Sequence, residues 1–261
     1  PGKVRGILSR YYPGLDGCEN APVIEDPVIP ERPAQMCPGC GHRSAFHAIK
    51  KVIDEETITV ADIGCHTLGS LPPYRMGQVL ASMGHSNGTG SGLSIFNETR
   101  KVITFLGDST FFHAGLPGVI NAIYNDHDIT LVVMLNDTTA MTGHQDHPGT
   151  GKTTRGEGTK ITVRSVLEGL GVRHLSETDT YNQKRLGELV KEAMDFEGFS
   201  VVIARHPCML KFTRDRRRAG QGIVSQARVD QETCRQIHHC LELFACPSFV
   251  RHPGGGVTVH P

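Results

Sequence analysis

Two apolar runs in this chain each end in a short side chain carrying a hard oxygen. VITFLG at 102–107 runs into Asp108, Ser109 and Thr110, and ITLVVML at 129–135 runs into Asn136, Asp137 and Thr138. Between them LPGVINAIYN at 116–125 has helical spacing, with Pro117 in its first turn. A strand that is apolar throughout needs cover on both faces, and a strand–helix–strand order supplies it in a parallel sheet.

The rest of the chain repeats this alternation. HRSAFHAIKKVID (42–54) has a helical pattern, and ETITVADIG (56–64) reads as a strand running into a loop. TVRSVLEGLG (162–171) is a helix bounded by Thr162 and Gly171. KRLGELVKEAMDF (184–196) is another helix, and FSVVIARH (199–206) another strand. The class is therefore α/β, with a mainly parallel sheet and helices on both faces. Residues 1–35, with APVIEDPVIPERP, read as an extended arm. Residues 36–212 form the main domain, and 213–261 a basic loop and tail. RDRRRAG falls in a solvated basic loop over 208–230, and residues 231–261 look like the start of another unit.

A formal net charge of zero over 261 residues gives no electrostatic case for nucleic acid or an anionic membrane. No apolar run approaches the ~20 residues of a membrane span. The start, PGKVRGILSRYYPGLDG, has no signal-peptide core and no initiator Met, so a cytoplasmic protein read from an internal start is expected.

Ligands of open parallel sheets bind at the carboxyl ends of the strands. Asp108 and Asn136 stand there, 28 positions apart. A carboxylate, an amide oxygen and a free carbonyl suit Mg2+ and the phosphate oxygens it holds, with Gly107 allowing close backbone approach. Alone, either motif is an ordinary strand-ending turn. Together, at strand–helix–strand spacing, they favour a ligand site.

Eight cysteines in a cytoplasmic chain point to metal, cluster or redox use more than to disulfides. Cys37 and Cys40 form a CxxC loop, while Cys65 and Cys208 end two strand-like runs. Four thiolates converging from those places suit Zn2+ or a 4Fe–4S cluster. The CxxC alone is equally a zinc or redox pair, and Cys65 and Cys208 could simply be small buried apolar groups. Cys234, Cys240 and Cys246, spaced C-x5-C-x5-C-P, share only the final Cys-Pro with a ferredoxin run, and Cys18 has no assigned role.

These motifs resemble a known family. GDS, then a helix and strand, then the Asn of MLND is similar to the thiamine diphosphate signature. CPGCGH (37–42), DIGCHTLG (62–69) and AMTGHQ (140–145) resemble stretches of the 2-oxoacid:ferredoxin oxidoreductases. GDSTFFHAGLPGVINAIYN and HPGTG (147–151) look most like alpha subunits of the indolepyruvate type, and the likeness covers about residues 30–210. The resemblance implies a thiamine-diphosphate-binding fold with Mg2+ held by Asp108, Asn136 and the backbone oxygen of Thr138. It implies cofactor contacts from Ile63, Gly64, Cys65, His66, Gly107, Asp108, Ser109, Thr110, Asn136, Ala140 and Met141. It assigns a 4Fe–4S cluster to Cys37, Cys40, Cys65 and Cys208. Of the 14 histidines, His66, His144 and His147, with Gln145, flank the loops expected to face the thiazolium ring. His66, His144 and Gln145 are the candidates for binding the substrate carboxylate or moving protons. His113 is more simply a packed or solvated side chain.

The implied activity is oxidative decarboxylation of an aryl 2-oxoacid such as indolepyruvate, giving acyl-CoA and CO2 and reducing ferredoxin. The Glu that activates the aminopyrimidine has no matching domain here. A pyrimidine-binding domain or subunit and a second oxidoreductase subunit are therefore expected partners, and the chain is expected to be a fragment or split subunit, inactive alone. Two other readings stand beside this one: a non-oxidative thiamine-dependent decarboxylase fragment, and a structural zinc module without thiamine.

Overall fold

The computed structural model describes residues 10–12, 34–97, 99–222 and 227–259. The chain divides into two units, Pro1–Ala34 and Gln35–Pro261. Apart from a turn at 10–12 and residue 34, the first unit and its Cys18 lie outside the described residues.

The second unit begins with α1 (Gly41–Lys50), directly after the CxxC loop. Strand β1 (Ile58–Val60) follows, then a 3-10 turn at Cys65–Ser70 and helix α2 (Ser86–Ile95). Strand β2 (Val102–Gly107) leads through an α-turn at Asp108–Thr110 and a π-turn at Phe111–Gly115 into α3 (Leu116–Tyr124). Next come β3 (Thr130–Leu135), a small hairpin of β4 (Lys152–Thr153) and β5 (Gly156–Glu157), and α4 (Val163–Gly169). Then β6 (His174–Asp179), α5 (Gln183–Asp195), β7 (Ser200–Arg205) and α6 (Met209–Arg218) complete the main layers. A helical turn, α7 (His239–Glu242), and a hairpin of β8 (Phe249–Arg251) and β9 (Val257–Val259) end the described chain.

Five strands form one sheet in the order β1-β2-β3-β7-β6, every pair parallel. The alternation of side chains builds a core on each face. Ile103, Phe105, Val132 and Met134 point to one side, against Phe46 and Ile49 of α1 and Leu186, Leu189 and Val190 of α5. Leu106, Leu131, Val133, Val201 and Ile203 point to the other, against Val119 of α3 and Val163 and Leu167 of α4. Gly107 pairs with Met134 and Leu135 with Arg205, so the loops after β2, β3 and β7 leave the sheet side by side.

Four details differ from the sequence reading. The basic segment expected as a loop is helix α6; Arg and Lys are good helix formers, Lys211 and Asp215 pair one turn apart at 2.7 Å, and Arg216, Arg217 and Arg218 occupy the C-terminal turn favoured by the helix dipole. Cys65 does not end a strand. Pairing of β1 with β2 stops at Val60, and the buried Asp62 carboxylate then gathers the N–H groups of Ile63, Gly84 and Ser86, at 2.7, 2.8 and 3.0 Å. Cys208 likewise follows β7 by a short loop and stands at the N-cap of α6. Helix α2 and strand β6 carry no clear signal in the sequence.

Candidate active site

Asp108 is the hub of the carboxyl-end loops. Its residue is 3% exposed, and its carboxylate ties the end of β2 to the end of β3. Oδ1 accepts the Ser109 N–H at 2.9 Å; Oδ2 accepts those of Asn136 and Asp137 at 3.0 and 2.8 Å. Asp137 reaches this turn with φ of 58°, a backbone conformation uncommon outside glycine and concentrated at functional loops. His147 Nε2 lies 3.4 Å from Oδ2, while its Nδ1 accepts the Gly149 N–H at 3.1 Å. The proton therefore sits on Nε2, facing the carboxylate. The Asn136 side-chain oxygen accepts the Thr138 N–H at 3.2 Å, and Thr139 Oγ1 donates to Ser109 Oγ at 2.7 Å. Asp108 Oδ1, the Asn136 amide oxygen and the two hydroxyls each keep an unused lone pair, so carboxylate, amide and hydroxyls present a hard-oxygen surface.

That surface lines a cavity of about 100 Å3. All the residues expected beside the cofactor border it: Ile63, Gly64, Cys65, His66, Gly107, Asp108, Ser109, Thr110, Asn136, Ala140 and Met141, together with Thr138. The His66 ring fills the space that side chains at Gly64 and Gly107 would occupy, and its Nε2 has no partner. Burial, aided by the neighbouring His42, pushes its pKa down to about 3, so the ring is neutral and able to donate one N–H. His42, Met83, Thr139 and Thr142 line the same cavity and escape the sequence reading. His42 is part of CPGCGH, but the motif itself does not show that its ring turns into a cavity.

Cys37, Cys40, Cys65 and Cys208 border a second cavity, of about 210 Å3, with His144, Pro207 and Leu210. Burial pushes the Cys65 thiol up to about 12, and the charges of Cys40, Cys208 and Cys37 push the same way. Burial also raises Cys40. Cys65 and Cys40 therefore resist ionising until a cation compensates them. Among the described residues, no three His, Cys, Asp or Glu side chains close tightly enough to hold a single metal ion. The two cavities adjoin, sharing His42, Cys65, Asn136, Ala140 and Met141, and the Asn136 carbonyl accepts the Cys208 N–H at 3.0 Å.

His144 borders the cysteine cavity only, His113 is exposed, and Gln145 is exposed with both ends of its amide engaged by Thr142. Cys234, Cys240 and Cys246 are half-buried free thiols. Their segment packs beside the CxxC loop. The buried Arg43 guanidinium donates to the carbonyls of Met36, Phe244 and Ala245, and the Tyr74 hydroxyl donates to that of Phe244 at 2.9 Å. Among the described residues, no helix is long and apolar enough to cross a membrane.

Residues 62–204 match the family "Thiamine pyrophosphate enzyme, C-terminal TPP binding domain". Indolepyruvate oxidoreductase subunit IorA of Methanothermobacter thermautotrophicus is 39% identical over 272 residues, covering 97% of this chain and 43% of that protein. IorA of Archaeoglobus fulgidus is 40% identical over 225 residues, 85% of this chain and 35% of that protein. The chain thus spans about two fifths of the length of these relatives. Among solved structures, 2-oxoglutarate:ferredoxin oxidoreductase from Magnetococcus marinus superposes with a TM-score of 0.59 at 21% identity, over 71% of this chain and 70% of that one. At that identity the likeness is one of fold.

Proposed function

We propose a function on the premise that the chain belongs to the thiamine pyrophosphate enzyme family, whose C-terminal TPP binding domain makes up just over half of it. It is the thiamine-diphosphate-, Mg2+- and iron–sulfur-binding part of a thiamine-dependent 2-oxoacid oxidoreductase of the indolepyruvate type. The observation that carries this reading is the pair of adjoining cavities, one walled by hard oxygens and the other by four cysteines.

The residues fit both groups. Asp108 and Asn136 would hold Mg2+ with the Thr138 carbonyl, and Ser109 and Thr110 lie on the same wall for the diphosphate. Bound thiamine diphosphate supplies a nucleophilic carbon and an electron sink for loss of CO2 from a 2-oxoacid. Four cysteines around one cavity suit the 4Fe–4S cluster that the family resemblance implies, and such a cluster would supply a one-electron acceptor beside the cofactor. The chain's own residues set the frame. Three backbone N–H groups fix Asp108 before any ligand arrives, and the His147 Nε2 edge lies 3.4 Å from its carboxylate. Neutral His66 offers an N–H to a substrate carboxylate in a wall it helps to keep dry. His144 stands on the cysteine side, and Gln145 acts through the 139–145 loop that it braces.

No glutamate lines the cofactor cavity among the described residues. The activating Glu is therefore assigned to a pyrimidine-binding domain or subunit. A second oxidoreductase subunit, ferredoxin, coenzyme A and an aryl 2-oxoacid complete the proposed system, in the cytoplasm. Anaerobic reconstitution tests it: the chain should take up about four iron and four sulfide, and bind thiamine diphosphate only with Mg2+. Cys37→Ser should lower iron while Mg2+-dependent binding survives. One zinc per chain in place of iron, or thiamine diphosphate binding indifferent to Mg2+, refutes the reading.

A further inference from the structure

His42 lies in the wall between the two cavities. It occupies the first turn of α1, two residues after Cys40, and borders both the cysteine cavity and the cofactor cavity. The residue is 4% exposed, and neither ring nitrogen has a hydrogen-bond partner. The Met134 carbonyl is near the ring but outside hydrogen-bond geometry. His66 meets it edge-on, centroids 6.2 Å apart at 75°, and offers no hydrogen bond either.

Buried polar atoms are almost always satisfied, and leaving them unmatched is costly. A ring with both nitrogens orphaned, on a residue that borders two cavities, is placed to meet what either cavity holds. A neutral imidazole has one donor and one acceptor, and a single proton decides which edge is which. Whatever fixes that proton from one side also fixes what the other side meets.

We propose that His42 couples the two sites through its tautomer. Sulfur acceptors in the cysteine cavity take its N–H, which turns the other nitrogen's lone pair toward a donor in the cofactor cavity. This rests on the reading of the two cavities given above. His42 is thus a positioning residue whose effect appears in binding, and linkage makes the effect reciprocal: a loaded cysteine site tightens the cofactor site by the same factor that a bound cofactor tightens the other.

The test uses the whole chain in cluster-free and anaerobically iron–sulfide-loaded forms, titrated calorimetrically with thiamine diphosphate in excess Mg2+. Binding should be about fivefold tighter in the loaded form, the net worth of roughly one hydrogen bond. His42→Phe should bring that ratio to about one, and so should the smaller His42→Leu; whichever folds decides. His42→Gln, which keeps a donor and an acceptor, should restore part of it. Equal affinity in the two wild-type forms, or weaker binding in the loaded one, overturns the coupling and leaves the proposed function standing. A wild-type ratio in His42→Phe or His42→Leu removes His42 from it. No Mg2+-dependent binding in either form overturns the functional reading and the coupling together.

Discussion

Replacing Asp108 by Asn should weaken the ligand-free chain, against the common experience that removing a buried charge from a binding site stabilises a protein. The carboxylate serves three backbone donors: Ser109 on Oδ1, and Asn136 and Asp137 on Oδ2. An amide has one oxygen. Placed at the Oδ2 position it keeps Asn136 and Asp137, but its NH2 then confronts the Ser109 N–H, donor against donor. Turned the other way it abandons two donors to save one. The better choice still strands one buried N–H, which costs about 1–3 kcal/mol. It also converts two charge-assisted hydrogen bonds to neutral ones of roughly half the strength. The sum is about 3 kcal/mol, and for a domain of this size that lowers Tm by roughly 6–12 °C. Urea unfolding in EDTA, read by circular dichroism, measures it, and thiamine diphosphate binding by the same variant, measured separately in excess Mg2+, is expected to vanish. An Asn variant as stable as wild type, or more so, would show that Asp108 is held for its ligand at the fold's expense, and would refute the reasoning.

Three further outcomes follow from packing and charge. Gly69→Ala should destabilise the chain by about 1–3 kcal/mol and lower iron uptake, because its Cβ would lie 2.3 Å from the Phe46 ring and lift the turn that carries Cys65; Phe46→Leu in the same chain should recover part of the loss, measured as a double-mutant cycle in urea. Arg43→Ala should leave the carbonyls of Met36 and Ala245 without their donor and that of Phe244 with the Tyr74 hydroxyl alone, and limited proteolysis should then cut residues 227–259 first. His47 packs edge-on against Phe244 at 5.2 Å, and burial, then Lys51, hold its pKa below the usual value. Below about pH 6.5 the unfolded chain binds that proton more readily than the folded one. The contribution of neutral His47 is present above that pH and lost as pH falls through it; His47→Gln should flatten this part of a stability–pH curve, and an unchanged slope would exclude the residue.

What the sequence displays is decided by how local each cause is. Strands β2, β3 and β7 are legible because burial on both faces demands unbroken apolar runs. Strand β6 is HLSETD, half-buried along the sheet edge, and its polar side chains hide the pairing with β7. Helix α2 is SNGTGSGLSI, poor in helix formers; it needs Gly90 where a Cβ would fall 2.3 Å from Thr104, so packing prevails over propensity. The site divides in the same way. Asp108 and Asn136 are visible because strand ends fix their neighbours along the chain. His147 reaches Asp108 only through the fold of the loop that follows β3, and His42 faces two cavities only because α1 packs its next turns, through Phe46, onto Phe105 of β2. His147 is singled out by the loop it flanks, but His42 is one of 14 histidines in the chain, and chemistry alone does not separate it from the exposed His113. What separates His42 is a pair of unpartnered ring nitrogens in a dry wall, a property of three strand ends and a helix meeting in space. The hard-oxygen half of the site is thus written in contiguous residues, while the connection between that half and the cysteines is written only in the packing of α1.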